Sequence, residues 1–459
     1  MRSSAISDFS QHSGQITTFH ILQQDRTSLR PQLRLHSKWK KTVLIIPLLA
    51  TEYSDPENQP IFENILRQLK GVTYVSNIIF GLDRATEKDA FLLKDLIDST
   101  GLKNHLIQWN DGPGFRGIYE KLNQAGFDIS EPGKGRNMFL SFGIAIALGG
   151  HSIGLIDADI RTFERVQLDR LFYPVVALNY DFSKAYYARI KDRRFFGRVK
   201  RLLLDPLLLS LKRKFAEGKE EKMLGLIDFL LGFNYQLSGE VAFDVDLLKR
   251  MRFATNWGVE IFTLIEVYRK ASSVAQVMFT DRPFDHKHQD SSPSSRHEGL
   301  SRMAVDIVTT LMNALIIEEG LEISETFFRD MAITYQAVAE DQIRKYSDDS
   351  SFSNLSYDRD TEEFLVREVF RNSIVQAGEI LTAPYRVTER FLRFVNSHPE
   401  FKPFLEQGLS EAILQVERKT EQMVFEMPQT VSWERVTNKL PQILFDLVEV
   451  VESEKRRFS

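Results

Sequence analysis

At 459 residues, with 43% hydrophobic and 27% charged side chains, the chain has the composition of a globular protein of two or three domains. Its net charge of −4 argues against general nucleic-acid binding, and the absence of cysteine excludes a disulfide framework, a thiolate metal site and a cysteine nucleophile. The polar start, residues 1–24, lacks the apolar core of a signal peptide, and no run of about 18 apolar residues stands out. A cytoplasmic protein with no membrane span is expected.

Residues 1–41 read as a polar arm with a basic end (Arg26, Arg30, Arg34, Lys38, Lys40, Lys41), taken as solvated. From residue 42 strand and helix alternate. Residues 42–47, 75–80, 106–109 and 153–156 are short apolar runs, the form of strands buried on both faces. Residues 59–69, 87–99 and 137–148 carry helical periodicity. Residues 175–179 are a further strand candidate, 195–215 a basic and apolar helix, 236–243 a turn and strand, and 259–270 a helix. This order predicts an α/β fold with a parallel, helix-covered sheet. Residues 283–297 read as a boundary loop, and the chain is helical beyond it, over 303–318, 361–381, 410–427 and 433–454. Three parts follow: the arm 1–41, an α/β domain 42–297 and a helical region 298–459.

The chemistry centres on Asp157-Ala158-Asp159. An apolar strand that ends in two acids puts hard oxygen ligands at the mouth of a sheet, where open α/β folds bind ligands. Alone the triplet is weak, since most such triplets are solvated turns or helix caps. Pro132-Gly133-Lys134-Gly135 precedes the helix leading into that strand, and offers a cation for phosphate or simply a helix start. The first strand ends in Pro47-Leu48-Leu49-Ala50-Thr51-Glu52, a loop suited to a base or ribose, or a plain connection. Arg193, Arg194, Arg198, Lys200 and Arg201 crowd nine residues, and arginine forks suit an oxyanion as well as they suit a solvated face. Trp257-Gly258-Val259-Glu260 opens a helix with an acid that also favours the helix dipole. His286 and His288 lie in the boundary loop, where an imidazole is either a metal ligand or a solvated side chain.

The ordered set Pro-Gly-Lys-Gly, Asp-Ala-Asp, Gly-Arg-Val (197–199), Leu-Ser-Gly-Glu (237–240), Trp-Gly-Val-Glu and a late histidine resembles the glucosyl-3-phosphoglycerate synthases and the related mannosylglycerate synthases, which are retaining glycosyltransferases of the GT-A fold. The likeness spans about residues 42–290. The helical tail is closer to the mannosylglycerate enzymes, the Gly-Arg-Val element to the phosphoglycerate enzymes.

The resemblance implies a GT-A, Rossmann-like domain followed by a mostly helical region. It implies a donor pocket of Pro47, Leu48, Leu49, Glu52, Gly81, Asp83, Lys134 and Asp157. Asp159 and His286 would hold Mg²⁺ or Mn²⁺. Gly197, Arg198, Val199, Lys200 and His288 would hold the acceptor, with Arg198 orienting its anion. Asp157, Glu260 and Arg198 would support catalysis. The chain departs from the family pattern at Ala50-Thr51-Glu52-Tyr53, at Lys200 in place of threonine, at Trp257 in place of tyrosine and at His288 in place of asparagine. The expected partners are a nucleotide diphosphate sugar and a small glycerate-type acid. No nucleic acid is expected, and the helical tail is a candidate element for homo-oligomers, a lid or a brace. The expected reaction moves a hexose, from UDP-glucose first and GDP-mannose second, to 3-phosphoglycerate. The alternatives are D-glycerate as acceptor, a nucleotidyltransferase, which the lack of a G-x-G-x-R-type loop disfavours, and a non-catalytic nucleotide-sugar binder.

Overall fold

The strands run, in chain order, as β1 (Ile16–Phe19), β2 (Thr42–Leu49), β3 (Asn77–Asp83), β4 (His105–Trp109), β5 (Ser152–Leu155), β6 (Phe182–Tyr186), β7 (Ile190–Lys191), β8 (Arg194–Phe195), β9 (Val241–Asp244), β10 (Arg252–Ala254), β11 (Val274–Met278) and β12 (Thr430–Ser432). The computed structural model describes residues 14–22, 25–127, 129, 132–285, 299–382 and 430–457. Eight strands form one sheet in the order β1-β11-β6-β9-β5-β2-β3-β4. Neighbours are parallel except at β9, which runs antiparallel to β5 and β6. Two ribbons, β7 with β8 and β10 with β12, stand apart from it.

The period-2 alternation of a strand sets the two cores. In β2, Val43 and Ile45 pack with Phe139 and Phe142 of the helix Lys134–Ala147. Leu44, Ile46 and Leu48 pack on the other face with Phe62 and with Phe172 of the helix Arg165–Leu178. A strand apolar from Val43 onward is thus packed on both faces, as its composition predicts. The chain lays β2, β3 and β4 outward in one direction, then returns to set β5 on the other side of β2. That reversal opens a crevice at the carboxyl ends of β2 and β5, the usual ligand position of such sheets.

Several expectations need correction. The supposed solvated arm contributes β1, an edge strand parallel to β11, and the helix Arg30–His36 with Leu33 fully buried. Several of its cations are engaged internally: Arg30 Nε bonds the buried Asp169 Oδ2 at 2.8 Å, Arg26 pairs with Glu164, Lys40 with Asn179 and Lys41 with the Leu148 carbonyl. Residues 175–179 are not a strand but the end of the helix Arg165–Leu178, closed by Asn179 in the left-handed region (φ 61°). A short apolar run cannot by itself distinguish the two. Strand β2 continues through Pro47 to Leu49, where a loop was expected. The β5 ladder stops at Ile45, so the N–H that Pro47 lacks removes no bond on that side. The helix Gly299–Glu319 is long and apolar enough to cross a membrane by length and composition, contrary to the reading of the sequence; half of its most apolar window is buried in this fold.

The C-terminal region is knit into the α/β domain. Strand β12 pairs with β10, and Trp433, the residue after it, is fully buried. Its ring stacks on Phe139 at 4.5 Å between centroids, and its Nε1 donates to the Phe139 carbonyl at 2.9 Å. Gly143, one turn along, leaves the space: a Cβ there would sit 2.1 Å from the indole. The last helix described, Ile443–Arg457, buries Ile443, Leu447 and Val451 in the core that holds the helix Lys134–Ala147. The expected helix over 410–427 lies outside the described residues.

Candidate active site

Asp157 lies two residues past β5, and the Ile156 N–H still donates to the Ile45 carbonyl, so the strand delivers the acid to the crevice. Lys134 is the first residue of its helix, following Gly133. Gly135 has no room for a side chain, because a Cβ would lie 2.5 Å from the Ala254 carbonyl oxygen. The helix start is thereby pressed on the backbone after β10. Glu260 occupies the first turn of the helix Val259–Lys270.

These three side chains converge. Lys134 Nζ stands 2.9 Å from Asp157 Oδ1 and 2.9 Å from Glu260 Oε1, all of them partly buried. A cation at a helix N-terminus opposes the helix dipole, and the two carboxylates offset that cost. Burial alone would lower the Lys134 ammonium; the facing Asp157 and Glu260 outweigh it and hold its pKa above the ordinary lysine value.

A second layer lies beneath. Gly239 packs flush on Asp157, since a Cβ there would fall 2.4 Å from Asp157 Oδ2. Glu240 is fully buried, and the Tyr187 hydroxyl donates to its Oε2 at 2.7 Å. Tyr187 stacks on Phe284 and leans on Tyr235, with centroids 3.8 Å and 5.0 Å away. Gly197, at φ 72°, abuts the Tyr235 hydroxyl, which a Cβ would approach to 2.9 Å. A contact chain therefore joins the Gly-Arg-Val element to the Asp-Ala-Asp strand end through Tyr235, Tyr187 and the 239–240 backbone. Arg189 sits along it, hydrogen-bonded to Tyr235 and within electrostatic reach of Asp159.

The other expected residues divide. Pro47 and Glu52 are half-buried, Leu48 is buried and Leu49 exposed at the end of β2. Gly81 is buried inside β3, where Asn137 Nδ2 donates to its carbonyl at 2.6 Å, and Asn137 fills the place of a Cβ. Asp83 is 2% exposed and engaged by Arg136 Nε and Asn110 Nδ2, both at 3.0 Å. Burial pushes the Asp83 carboxyl up against the pull of Arg136. Arg198 is half-buried, 6.0 Å from the Phe196 ring centroid, and precedes Val199 in a wide helical turn, Val199–Leu204. Its neighbours are engaged elsewhere: Lys200 by Asp205 at 2.5 Å, Arg201 by Glu362 at 2.6 Å, and Arg193 by the Asn354 carbonyl at 2.7 Å. Asp159 is half-buried beside Ala158. His286 and His288 lie outside the described residues. Their predecessor Asp285 accepts the Arg161 N–H at 2.9 Å through its carbonyl, so the chain reaches 285 beside the Asp-Ala-Asp segment. Arg136, Lys184, Tyr187 and Glu240 escaped the sequence reading. Glu240 stood in the Leu-Ser-Gly-Glu motif without a role, and Lys184, a lone cation in an aromatic strand, was the one available signal for the buried layer.

Comparisons with known proteins bear on the family of this chain. No family model matches the chain. It is 36% identical over 381 residues to a glucosyl-3-phosphoglycerate synthase of Persephonella marina, covering 81% of this chain and 90% of that one. It is 33% identical to one of Methanococcoides burtonii, covering 79% and 88%. Among solved structures it is similar to glucosyl-3-phosphoglycerate synthase from Mycobacterium tuberculosis in complex with Mg²⁺ and uridine diphosphate, at 20% identity and a TM-score of 0.47, covering 68% of this chain and 89% of that one. The chain belongs to the glucosyl-3-phosphoglycerate synthase family of glycosyltransferases.

Proposed function

We propose that this protein transfers a glucosyl group from UDP-glucose to 3-phosphoglycerate, with retention at the anomeric carbon, and that GDP-mannose is its second-choice donor. The observation that carries this reading is Lys134 held between Asp157 and Glu260 at the crevice of the sheet. A leaving diphosphate needs a fixed positive group aimed at it, in a site where that group need not reorganise. Lys134 is such a group, and the two curated relatives are synthases of this product by name.

The donor set fits a divalent cation completed by substrate. Among the described residues no three His, Cys, Asp or Glu side chains form a self-contained metal cage. Mg²⁺ is commonly held by one or two carboxylates together with substrate phosphates, which matches Asp159 with a diphosphate and with His286 as the further ligand. When bound, Mg²⁺ or Mn²⁺ would neutralise charge on the leaving diphosphate. Asp157 would face the ribose or hexose of the donor. Arg198 would fix the acceptor's anion and so convert a bimolecular encounter into a positioned one. Glu260 would hold Lys134 in register as charge develops.

A second acceptor, D-glycerate, stays in view because Lys200 and Arg201 are both committed to carboxylates of this chain. The test is product analysis by ¹H and ³¹P NMR. UDP-glucose and GDP-mannose are each incubated with 3-phosphoglycerate or D-glycerate in Mg²⁺ or Mn²⁺. Glucosyl-3-phosphoglycerate as the main product is expected. Release of nucleoside monophosphate, or no glycosylated acid in any arm, overturns the reading.

A further inference from the structure

Lys184 stands in the middle of β6 and is 1% exposed. A buried ammonium is costly unless it is bonded and paired, and nothing in the packing of a sheet strand calls for one. Its Nζ donates to the Ser238 carbonyl at 2.7 Å, and the Ser238 hydroxyl donates back to the Ala185 carbonyl at 2.7 Å. The β6–β9 ladder ends at the pairing of Lys184 with Val241. These two bonds extend the grip of β6 beyond it, onto the turn that carries Gly239 and Glu240. The Ala185 N–H adds a third bond, to the Glu240 carbonyl at 3.0 Å.

The turn so held is the one pressed on Asp157. At Gly239 even a methyl group would overlap the Asp157 carboxylate. Asp157 is therefore confined between the Gly239 backbone on one side and the Lys134 ammonium, 2.9 Å away, on the other. Burial lowers Lys184 to about 8, while Glu260, Glu240 and Asp157 pull it upward and Lys134 opposes them. The three carboxylates thus favour its charged form against that burial.

We propose that Lys184 is a positioning residue for hexosyl transfer: by anchoring the Ser238 carbonyl it sets Gly239 against Asp157 and fixes that carboxylate opposite Lys134. The kinetic consequence rests on the transferase reading above; the geometric one does not.

The experiment compares the full chain with Lys184→Met, Lys184→Gln and Gly239→Ala, using steady-state kinetics with UDP-glucose and 3-phosphoglycerate and a crystal structure of Lys184→Met. Methionine keeps the stem and loses the donor. It should lower kcat by about 10- to 100-fold and leave the acceptor KM within about twofold, the pattern of a lost transition-state interaction. Glutamine keeps an N–H for Ser238 and should recover part of the loss. A folded Lys184→Met with the parent kcat, or Lys184→Gln no better than Lys184→Met, overturns the assignment. Where Lys184→Met does not fold, Gly239→Ala decides: it should lower kcat, and a folded variant with the parent kcat overturns the proposal. A parent chain that transfers no hexose defeats the functional reading alone. The crystal structure then decides. A Lys134–Asp157 separation beyond about 4 Å, the limit of an ion pair, supports positioning, and an unchanged pair refutes it.

Discussion

Lys134 and Glu260, each in the first turn of its own helix, meet at 2.9 Å. Both helices point positive ends toward the crevice, and the acid of one holds the base of the other. Glu260→Gln removes half of the charge that offsets Lys134. A hydrogen bond to a charged group is worth about 1.5–3 kcal/mol, so kcat should fall by roughly 10- to 100-fold. Nucleotide-sugar KM should move less. Steady-state kinetics at saturating acceptor check this, and an unaltered kcat removes Glu260 from the mechanism.

Asp159→Ala should abolish transfer while leaving the fold intact, because Asp159 is half-buried at a strand end rather than in either core. Mn²⁺ titration by calorimetry in the presence of UDP should show binding to the parent chain and none to the variant. Full turnover by the variant removes Asp159 from the metal site.

Arg198 and Arg201 are close in sequence and opposite in expected effect. Arg198→Ala should raise the KM for 3-phosphoglycerate well above its effect on the donor KM. Arg201→Ala leaves Glu362 buried without its guanidinium, and breaking a buried pair costs about 3–5 kcal/mol. Its signature should be a lowered urea midpoint with little change in acceptor KM. Matching kinetic losses in the two variants would contradict the division.

Lys184 gives a pH dependence of stability. Its folded pKa, about 8, lies below the ordinary 10.5. Between these values the unfolded chain holds a proton that the folded chain has released, so stability rises with pH over that window. The penalty of the buried charge is fully relieved above pH 10.5 and returns as pH falls toward 8. Thermal unfolding of the parent relative to Lys184→Met should therefore shift in the parent's favour from pH 8 to pH 10. A constant difference in Tm across that range contradicts it.

Trp433→Ala should cost about 3–5 kcal/mol, the usual range for deleting a buried aromatic ring, and a denaturant titration reads it directly. The loss includes the stack on Phe139 and the bond to its carbonyl. A milder change, Trp433→Phe, should lose the bond and keep most of the stack. Equal losses in the two variants would contradict that apportionment.

Much of the α/β framework was legible because its signals are local. The runs at 42–47, 75–80, 106–109 and 153–156 became β2 to β5, since strands buried on both faces show as unbroken apolar stretches. Lys134, Asp157 and Glu260 were each marked by glycines or by a strand end, and the fold brings all three together. What escaped detection is what depends on distant partners. Residues 16–19 look like a polar lead until β11 supplies backbone bonds. Residues 175–178 are as apolar as a strand, and only Asn179, in the left-handed region, marks the helix end. Lys200 and Arg201 looked like free cations because Asp205 and Glu362 could not be matched to them by spacing. Arg136, 53 positions after Asp83, reaches back to hold its carboxylate, a pairing that spacing alone does not show.

The clasp of Trp433 on Phe139 joins residues 294 positions apart. The helix it grips begins with Lys134. Domains generally fold as units while a chain emerges from the ribosome at about 5–20 residues per second. Here the site-bearing helix is exposed for some fifteen seconds or more by that rate, with one aromatic face uncovered until the final strand arrives. The packing around the helix that begins with Lys134 is therefore complete only once residue 433 has been made.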